Sequence, residues 1–84
     1  MTIEAELKFM LVNHGLFESM ADKVVEAVKA DPANASMQGR WSDKRDDYPG
    51  VVFAICWMSA RSQALKIIDS ECPNHWARQV FVNP

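Results

Sequence analysis

Cysteine and histidine are the side chains of this 84-residue sequence whose types and spacing could do chemistry. Cys72 and His75 are separated by two residues, which is the spacing of a close pair of zinc ligands, and Cys56 and His14 could complete a set of four ligands. Zinc sites usually pair two such close couplets, whereas this sequence has one. Cys56 also lies within the most apolar stretch, where a free cysteine behaves as a small hydrophobic residue. The pattern therefore predicts no bound metal.

The same residues are weak candidates for catalysis. A thiolate beside a histidine is a nucleophile, but nothing in the pattern brings a cysteine and a histidine together. The sequence has neither a Gly-Xaa-Ser-Xaa-Gly motif nor a glycine-rich phosphate loop, and each of its 3 glycines stands beside a predicted helix end. A chain this short also leaves little material for a closed pocket. We therefore expect neither an enzyme nor a cofactor-binding protein.

Aromatic residues next to basic ones provide a different kind of candidate site. Trp41 and Tyr48 flank a charged stretch that we predict to be an exposed loop. Exposed aromatic rings beside arginine are typical of the residues that dominate protein–protein interfaces. The pattern therefore predicts a contact surface for another protein, centred on this loop and on the turn that follows the third long helix. The candidate partner-binding residues are Arg40, Trp41, Lys44, Arg45, Tyr48 and Trp76.

Two other interpretations of this loop remain open. Its basic residues beside Trp41 could stack and hold a nucleic-acid base, although Asp43, Asp46 and Asp47 neutralise them. The formal net charge of −2 is also unfavourable for binding a phosphate backbone. In the other interpretation the loop is solvated and the aromatic rings, Trp41 included, belong to the core. The sequence does not decide whether Trp41 and Trp76 lie in the core or on the surface.

Hydrophobic periodicity predicts the elements that must position these residues. Apolar residues recur at helical spacing over 3–13 and 17–30, where the second stripe begins at Phe17. Thr2 is a predicted N-cap for the first helix, and Gly15 is expected to end it in the left-handed conformation. Asp31 is expected to cap a short third helix that runs to residue 38. Residues 74–78 predict one more turn, followed by an apolar tail over 79–82 that docks on the core.

Residues 50–70 predict the central helix. The stretch from Val51 to Ala60 is apolar almost all round, and a polar face develops only after it. We therefore expect a helix that is buried early and amphipathic late, with Phe53 and Trp57 in the core. Because β-branched residues cluster there, a strand over 51–57 is the rival prediction. The apolar run is about half of the ~20 residues that a membrane-spanning helix needs, so we expect no membrane association.

These elements predict an all-α fold. We expect residues 1–84 to form one domain, a small orthogonal or antiparallel bundle of three main helices with one or two short helical turns. Two cysteines are fewer than a small secreted domain usually carries, and the N-terminus lacks the pattern of a signal peptide. Both observations favour the cytoplasm. The large apolar content leaves room for a homodimer through unused helix faces.

Several short segments carry a resemblance to small accessory proteins of tailed bacteriophages and prophages. These segments are 31–34, 37–41, Tyr48-Pro49, 52–60, and Pro73 with Trp76, and the resemblance spans about residues 16–82. It implies a virus-encoded protein that acts in the bacterial cytoplasm by binding and redirecting a host protein, sometimes one of a defence system. It assigns no binding residue.

Overall fold

Three long helices carry the fold, and the all-α prediction is confirmed. The computed structural model describes residues 1–37, 39–47 and 50–82, without the side chain of Arg45. Its long helices are α1 (Ile3–Asn13), α2 (Glu18–Ala30) and α3 (Gly50–Glu71), and a short helix α4 (Arg78–Val82) follows them. Two 3₁₀ segments, Pro32–Met37 and Arg45–Asp47, lie between α2 and α3. The strand predicted as an alternative over 51–57 is wrong, because these residues are helical throughout.

Local capping sets the ends of α1 as the sequence predicts. The Thr2 hydroxyl accepts a hydrogen bond from the backbone of the first turn. At the other end, the Gly15 N–H donates to the Val12 carbonyl (2.9 Å). The Leu16 N–H donates to the Leu11 carbonyl (3.2 Å), which completes a Schellman motif. Gly15 has a φ of +108°, which side chains other than hydrogen rarely tolerate, so the turn between α1 and α2 depends on glycine.

The segment after α2 is tied to α3 by a buried side chain. Asp31 accepts the N–H of Ala33 (2.9 Å) and so caps the 3₁₀ segment at the predicted place. The Asn34 side chain is buried and donates to the Val28 carbonyl and to the Ser59 hydroxyl, both at 3.1 Å. These bonds satisfy the amide, which would otherwise be costly to bury, and they join the end of α2 to the middle of α3.

The core lies where the inner faces of the helices meet. The largest fully buried side chains come from all three long helices and are Ile3, Leu7, Leu11, Val24, Val28, Cys56 and Ile68. The predicted docking of the tail is confirmed, because Phe81 of α4 is buried and its carbonyl accepts a hydrogen bond from Arg61 (3.2 Å). Lys23 of α2 also pairs with Glu71 at the end of α3.

The first half of α3 corrects one prediction. Phe53 and Cys56 are buried as expected, but Val51, Ile55 and Met58 are 65%, 57% and 68% exposed. Trp57, expected in the core, is only partly buried and packs against the edge of it. The reason is that a chain of this length has enough helices to cover one side of α3 and not both. The apolar residues on the far side therefore face solvent.

Length and composition would allow α3 to cross a membrane. It has 22 residues, and 28% of its most apolar 18-residue stretch is buried within the fold. The core helix of a globular protein passes the same test of length and composition, because burial against other helices also selects apolar residues. Most of this stretch of α3 is not buried, and its buried part is one face of the helix. The chain folds around this face of α3, with a radius of gyration of 12.2 Å.

Candidate functional site

Two exposed aromatic rings meet at one end of the bundle. Phe17 is 63% exposed and Trp76 is 66% exposed. Both contact the imidazole of His75: Phe17 meets it edge-on with ring centroids 5.1 Å apart, and Trp76 stacks on it at 5.9 Å. We call these three residues the aromatic cluster. Two aromatic side chains with most of their surface in water form an exposed apolar patch, and such patches are often interaction sites.

Backbone geometry places both exposed rings. Phe17 is the N-cap residue of α2 and is extended (φ −61°, ψ 149°), so its side chain does not follow the buried stripe of that helix. Trp76 lies in the turn between α3 and α4. Its ring covers Gly15, since a Cβ added there would stand 2.6 Å from Trp76 Cζ2. The glycine that ends α1 therefore also makes room for the tryptophan.

His75 is the buried member of the cluster and contacts both exposed rings. Its side chain is buried, and its Nδ1 accepts the N–H of Ala77 (3.1 Å). A ring nitrogen that accepts a hydrogen bond carries no proton, so the neutral imidazole has its proton on Nε2. The bond fixes the ring plane against which Phe17 and Trp76 rest. His75 is therefore a positioning residue for the two exposed rings.

Charged pairs border the cluster. Lys8 pairs with both Glu18 and Asp22 at 2.9 Å, and hydrogen bonding to these carboxylates raises the pKa of Lys8. Arg78 pairs with Asp69 at 2.7 Å, and this hydrogen bond raises the pKa of Arg78. Glu18 follows Phe17 in the chain, and Arg78 stands two residues after Trp76. An apolar centre with a charged, hydrated border is the usual anatomy of a protein-binding surface.

An apolar groove of about 290 Å3 adjoins this border on α1. Lys8 and Glu18, which belong to that border, line one side of it. The exposed side chains on its floor include Phe9, 53% exposed, and Val12, 39% exposed. The lining residues are Met1, Ala5, Lys8, Phe9, Val12 and Glu18. The groove is a second apolar surface, on the outer face of α1, and its lining does not include Phe17, His75 or Trp76.

Trp41 lies in the core, which corrects its prediction as a partner-binding anchor. It is 7% exposed, and its carbonyl accepts the N–H of Glu4 at the start of α1 (3.1 Å). The physical reason is that the loop folds over the N-terminal end of α1 and buries the indole there. A buried ring cannot stack on a nucleic-acid base either, so the loop loses the platform that the nucleic-acid interpretation needs.

Of the remaining predicted residues, the two that the structure describes in full, Arg40 and Lys44, do not form one surface with Trp76. Arg40 pairs with Asp43 (3.1 Å), and Lys44 is exposed in a backbone bridge with Thr2. These contacts hold the loop at the start of α1, whereas Trp76 covers Gly15 beyond its end. Eleven helical residues separate the two places by about 16 Å. The Arg45 side chain and Tyr48 lie outside the described part of the chain.

Phe17 is a candidate site residue that the sequence pattern does not predict. In the sequence, Phe17 continues the apolar spacing of the second helix, and that pattern predicts burial. The structure begins α2 one residue later, at Glu18. An apolar residue just outside a helix start is free of the helical register, which is the signal that could have identified it.

The two thiols have different surroundings. Cys56 is 1% exposed, and burial raises the pKa of its thiol, so it is a core residue as predicted. Cys72 is partly exposed. In residues 1–37, 39–47 and 50–82, no group of three or more histidine, cysteine, aspartate or glutamate side chains is arranged to hold a metal ion.

Comparison with known proteins gives no relative for this chain. No family model matches it, and neither the curated proteins nor the solved structures contain a significant match.

Proposed function

We propose that this chain is a small non-enzymatic module that binds another protein through its aromatic cluster. The observation that carries the proposal is the joint exposure of Phe17 and Trp76 on either side of the buried His75. Tryptophan is enriched among the residues that dominate binding energy at interfaces. Here the stacking on His75 positions Trp76 while two-thirds of its surface stays exposed to water.

The exposed surface is large enough to matter energetically. A tryptophan side chain offers about 150–250 Å2, of which 66% is exposed here. Covering that part at about 25 cal/mol per Å2 stabilises a complex by roughly 2–4 kcal/mol. This is the range observed for dominant interface residues. Phe17, on the other side of His75, adds further exposed apolar area.

We propose that the partner is a bacterial protein and that the chain acts in the bacterial cytoplasm as a phage-type modulator. The resemblance to accessory proteins of tailed bacteriophages supports this assignment, and it includes Trp76. The mechanism is occlusion: a preformed surface covers a functional site of the host protein. The fold supports such a mechanism because its helices and turns fix the cluster before binding, which lowers the entropy lost on association.

Affinity capture tests the proposal. The chain carries an N-terminal tag, so that α4 and the cluster stay free, and is incubated with bacterial lysate. We expect one captured protein whose affinity falls at least about 30-fold in Trp76→Ala, equivalent to ~2 kcal/mol. Met58→Ala is the matched control, since it shortens an equally exposed side chain on α3.

Two outcomes would contradict this function. If Trp76→Ala captures the partner as well as the wild type does, the aromatic cluster is not part of the binding interface. Capture of nucleic acid, with an affinity that falls steeply as salt increases, would favour the alternative of a nucleic-acid accessory module.

A further inference from the structure

His75 is the member of the aromatic cluster whose charge can change near neutral pH. It is 9% exposed, and both exposed rings of the cluster contact its imidazole. Its Nδ1 accepts the N–H of Ala77 (3.1 Å), a bond that only the neutral ring can make. We propose that protonation of His75 displaces Phe17 and Trp76, so that acid takes the aromatic cluster apart. The consequence for partner binding rests on the proposed function, whereas the displacement of the rings does not.

The turn between α3 and α4 loses a hydrogen bond when His75 gains a proton. An imidazolium carries a proton on each ring nitrogen and accepts no hydrogen bond. Ala77 is fully buried, and the acceptor of its N–H is Nδ1 of His75. A protonated ring in the same place would point one N–H at another and would leave a buried backbone donor without an acceptor. The ring must therefore turn or move outward when it becomes charged.

The positive charge on His75 would also lack a counter-ion. Among the residues that the structure describes, no aspartate or glutamate pairs with this ring. Cys72, in the same turn, contributes a backbone carbonyl that accepts the His75 N–H (2.9 Å). A buried charge without a partner is costly. The charged groups at the neighbouring helix ends already pair with one another: Lys8 with Glu18 and Asp22, Lys23 with Glu71, and Arg78 with Asp69.

One contact favours the charged ring, and it is the weaker effect. Trp76 stacks on the imidazole, and the face of an indole attracts a cation within about 6 Å of its centre. The two ring centroids are 5.9 Å apart, which is the limit of that range. An attraction at this distance does not offset a broken buried hydrogen bond and an unpaired charge. The intact cluster therefore requires the neutral ring, and it is lost as the pH falls through the protonation of His75.

The other histidine of the chain should respond differently to acid. Nδ1 of His14 lies 2.6 Å from the Met10 carbonyl oxygen, so this nitrogen carries the proton and donates. A protonated ring keeps that bond, and its charge is favourable at the C-terminal end of α1. His14 contacts Trp57 and Phe81 and not the aromatic cluster. It is therefore the matched control for His75.

His75→Asn separates the hydrogen bond from the charge. The asparagine side-chain oxygen can accept the N–H two residues later, as the Asp31 carboxylate does from Ala33 in this chain. Asparagine does not titrate, so the turn should remain closed and should no longer respond to acid. His14→Gln removes the other titrating ring and should leave the acid response as it is in the wild type.

Nuclear magnetic resonance of the nitrogen-15-labelled full chain, from about pH 8 to about pH 5, tests the displacement. The imidazole nitrogen resonances report the protonation of His75, and hydrogen exchange of the Ala77 amide reports the turn. When His75 is protonated, the protection of that amide should fall at least about tenfold in the wild type and in His14→Gln. Nuclear Overhauser contacts between Phe17 and position 75 should disappear with it. Circular dichroism at each pH verifies that the long helices persist.

Three results would overturn the proposal. One is a His75 ring that stays neutral down to about pH 5. Another is protonation that leaves the Ala77 amide protected and the contact with Phe17 intact. The third is an acid response in His75→Asn equal to that of the wild type.

Partner affinity tests the consequence for function. For the protein captured through Trp76, the affinity of the wild type should fall at least about tenfold from about pH 7.5 to about pH 5.5. Each variant is compared with itself at the two pH values, and His75→Asn should lose less than about threefold. An equal loss in both proteins would contradict regulation through His75. If no protein is captured, the proposed function fails, while exchange of the Ala77 amide still decides whether protonation takes the cluster apart.

Discussion

Replacing Gly15 by alanine should destabilise the protein through two separable effects. The first is backbone strain, because a φ of +108° costs a residue with a Cβ about 1–2 kcal/mol. The second is collision: the new methyl group would stand 2.6 Å from Trp76 Cζ2 and 3.2 Å from the Cβ of the buried Ala77. The exposed indole can swing away, which forfeits its stacking on His75, a contact worth about 0.5–1.5 kcal/mol.

The sum is about 2–3 kcal/mol, a large part of the ~4–13 kcal/mol expected for a domain of 84 residues. With a denaturant dependence of ~1–3 kcal/mol per molar urea, the unfolding midpoint should fall by roughly 0.7–3 M. Urea unfolding followed by circular dichroism measures it. Because the indole leaves its place, Gly15→Ala should also weaken partner binding.

Gly39 is a control that separates the backbone strain at Gly15 from the steric clash with Trp76. Gly39 also has a positive φ (+79°), but a Cβ added there would meet no atom of the described residues within 4 Å. Gly39→Ala should therefore show only the backbone effect, about 1 kcal/mol. When Trp76 is already alanine, the new methyl group meets no indole, so Gly15→Ala should destabilise the protein by about 1 kcal/mol less than it does in the wild type. This difference is the coupling energy of a double-mutant cycle. Equal effects at both glycines, with no dependence on Trp76, would refute the assignment of the indole to the surface of this turn.

Two further predictions follow from burial. Trp41→Ala should lower the free energy of unfolding by about 3–5 kcal/mol, because it empties a core position; a melting temperature within a few degrees of the wild type would contradict the burial of Trp41. Iodoacetamide at mildly alkaline pH should add one group to the native protein, at Cys72, and a second at Cys56 only in denaturant, since burial raises the pKa of Cys56 and shields its thiol. Mass spectrometry counts the groups, and modification of native Cys56 would contradict this prediction.

Helix positions could be predicted from the sequence because the signals that set them are local. Thr2, Gly15 and Asp31 each act through hydrogen bonds to residues a few positions away. The 3.6-residue period of the apolar residues extends over whole helices, so it also identified α3 against the rival strand. These features depend on neighbours along the chain and hardly on the rest of the fold.

Which apolar residues are exposed could not be predicted, because that depends on distant parts of the chain. Trp41 is buried by the start of α1, about forty residues earlier in the sequence. The first half of α3 is apolar on all sides, so its periodicity cannot indicate which side the other helices cover. The sequence predicts Trp76 as a candidate, and its ring is exposed, but its association with Phe17 through His75 depends on the packing of the start of α2 against the turn after α3.

The three indoles lie at three depths: Trp41 inside the core, Trp57 at its edge, and Trp76 in water. An ionic collisional quencher such as iodide reaches a fluorophore only from solvent, so Trp76 should account for most of the quenchable emission of the native chain. A molecule that binds over this indole changes the fraction of the fluorescence that iodide can quench, and it changes the emission wavelength. The protein thus has a built-in optical reporter at the place where we expect its partner, and binding can be followed without attaching a dye.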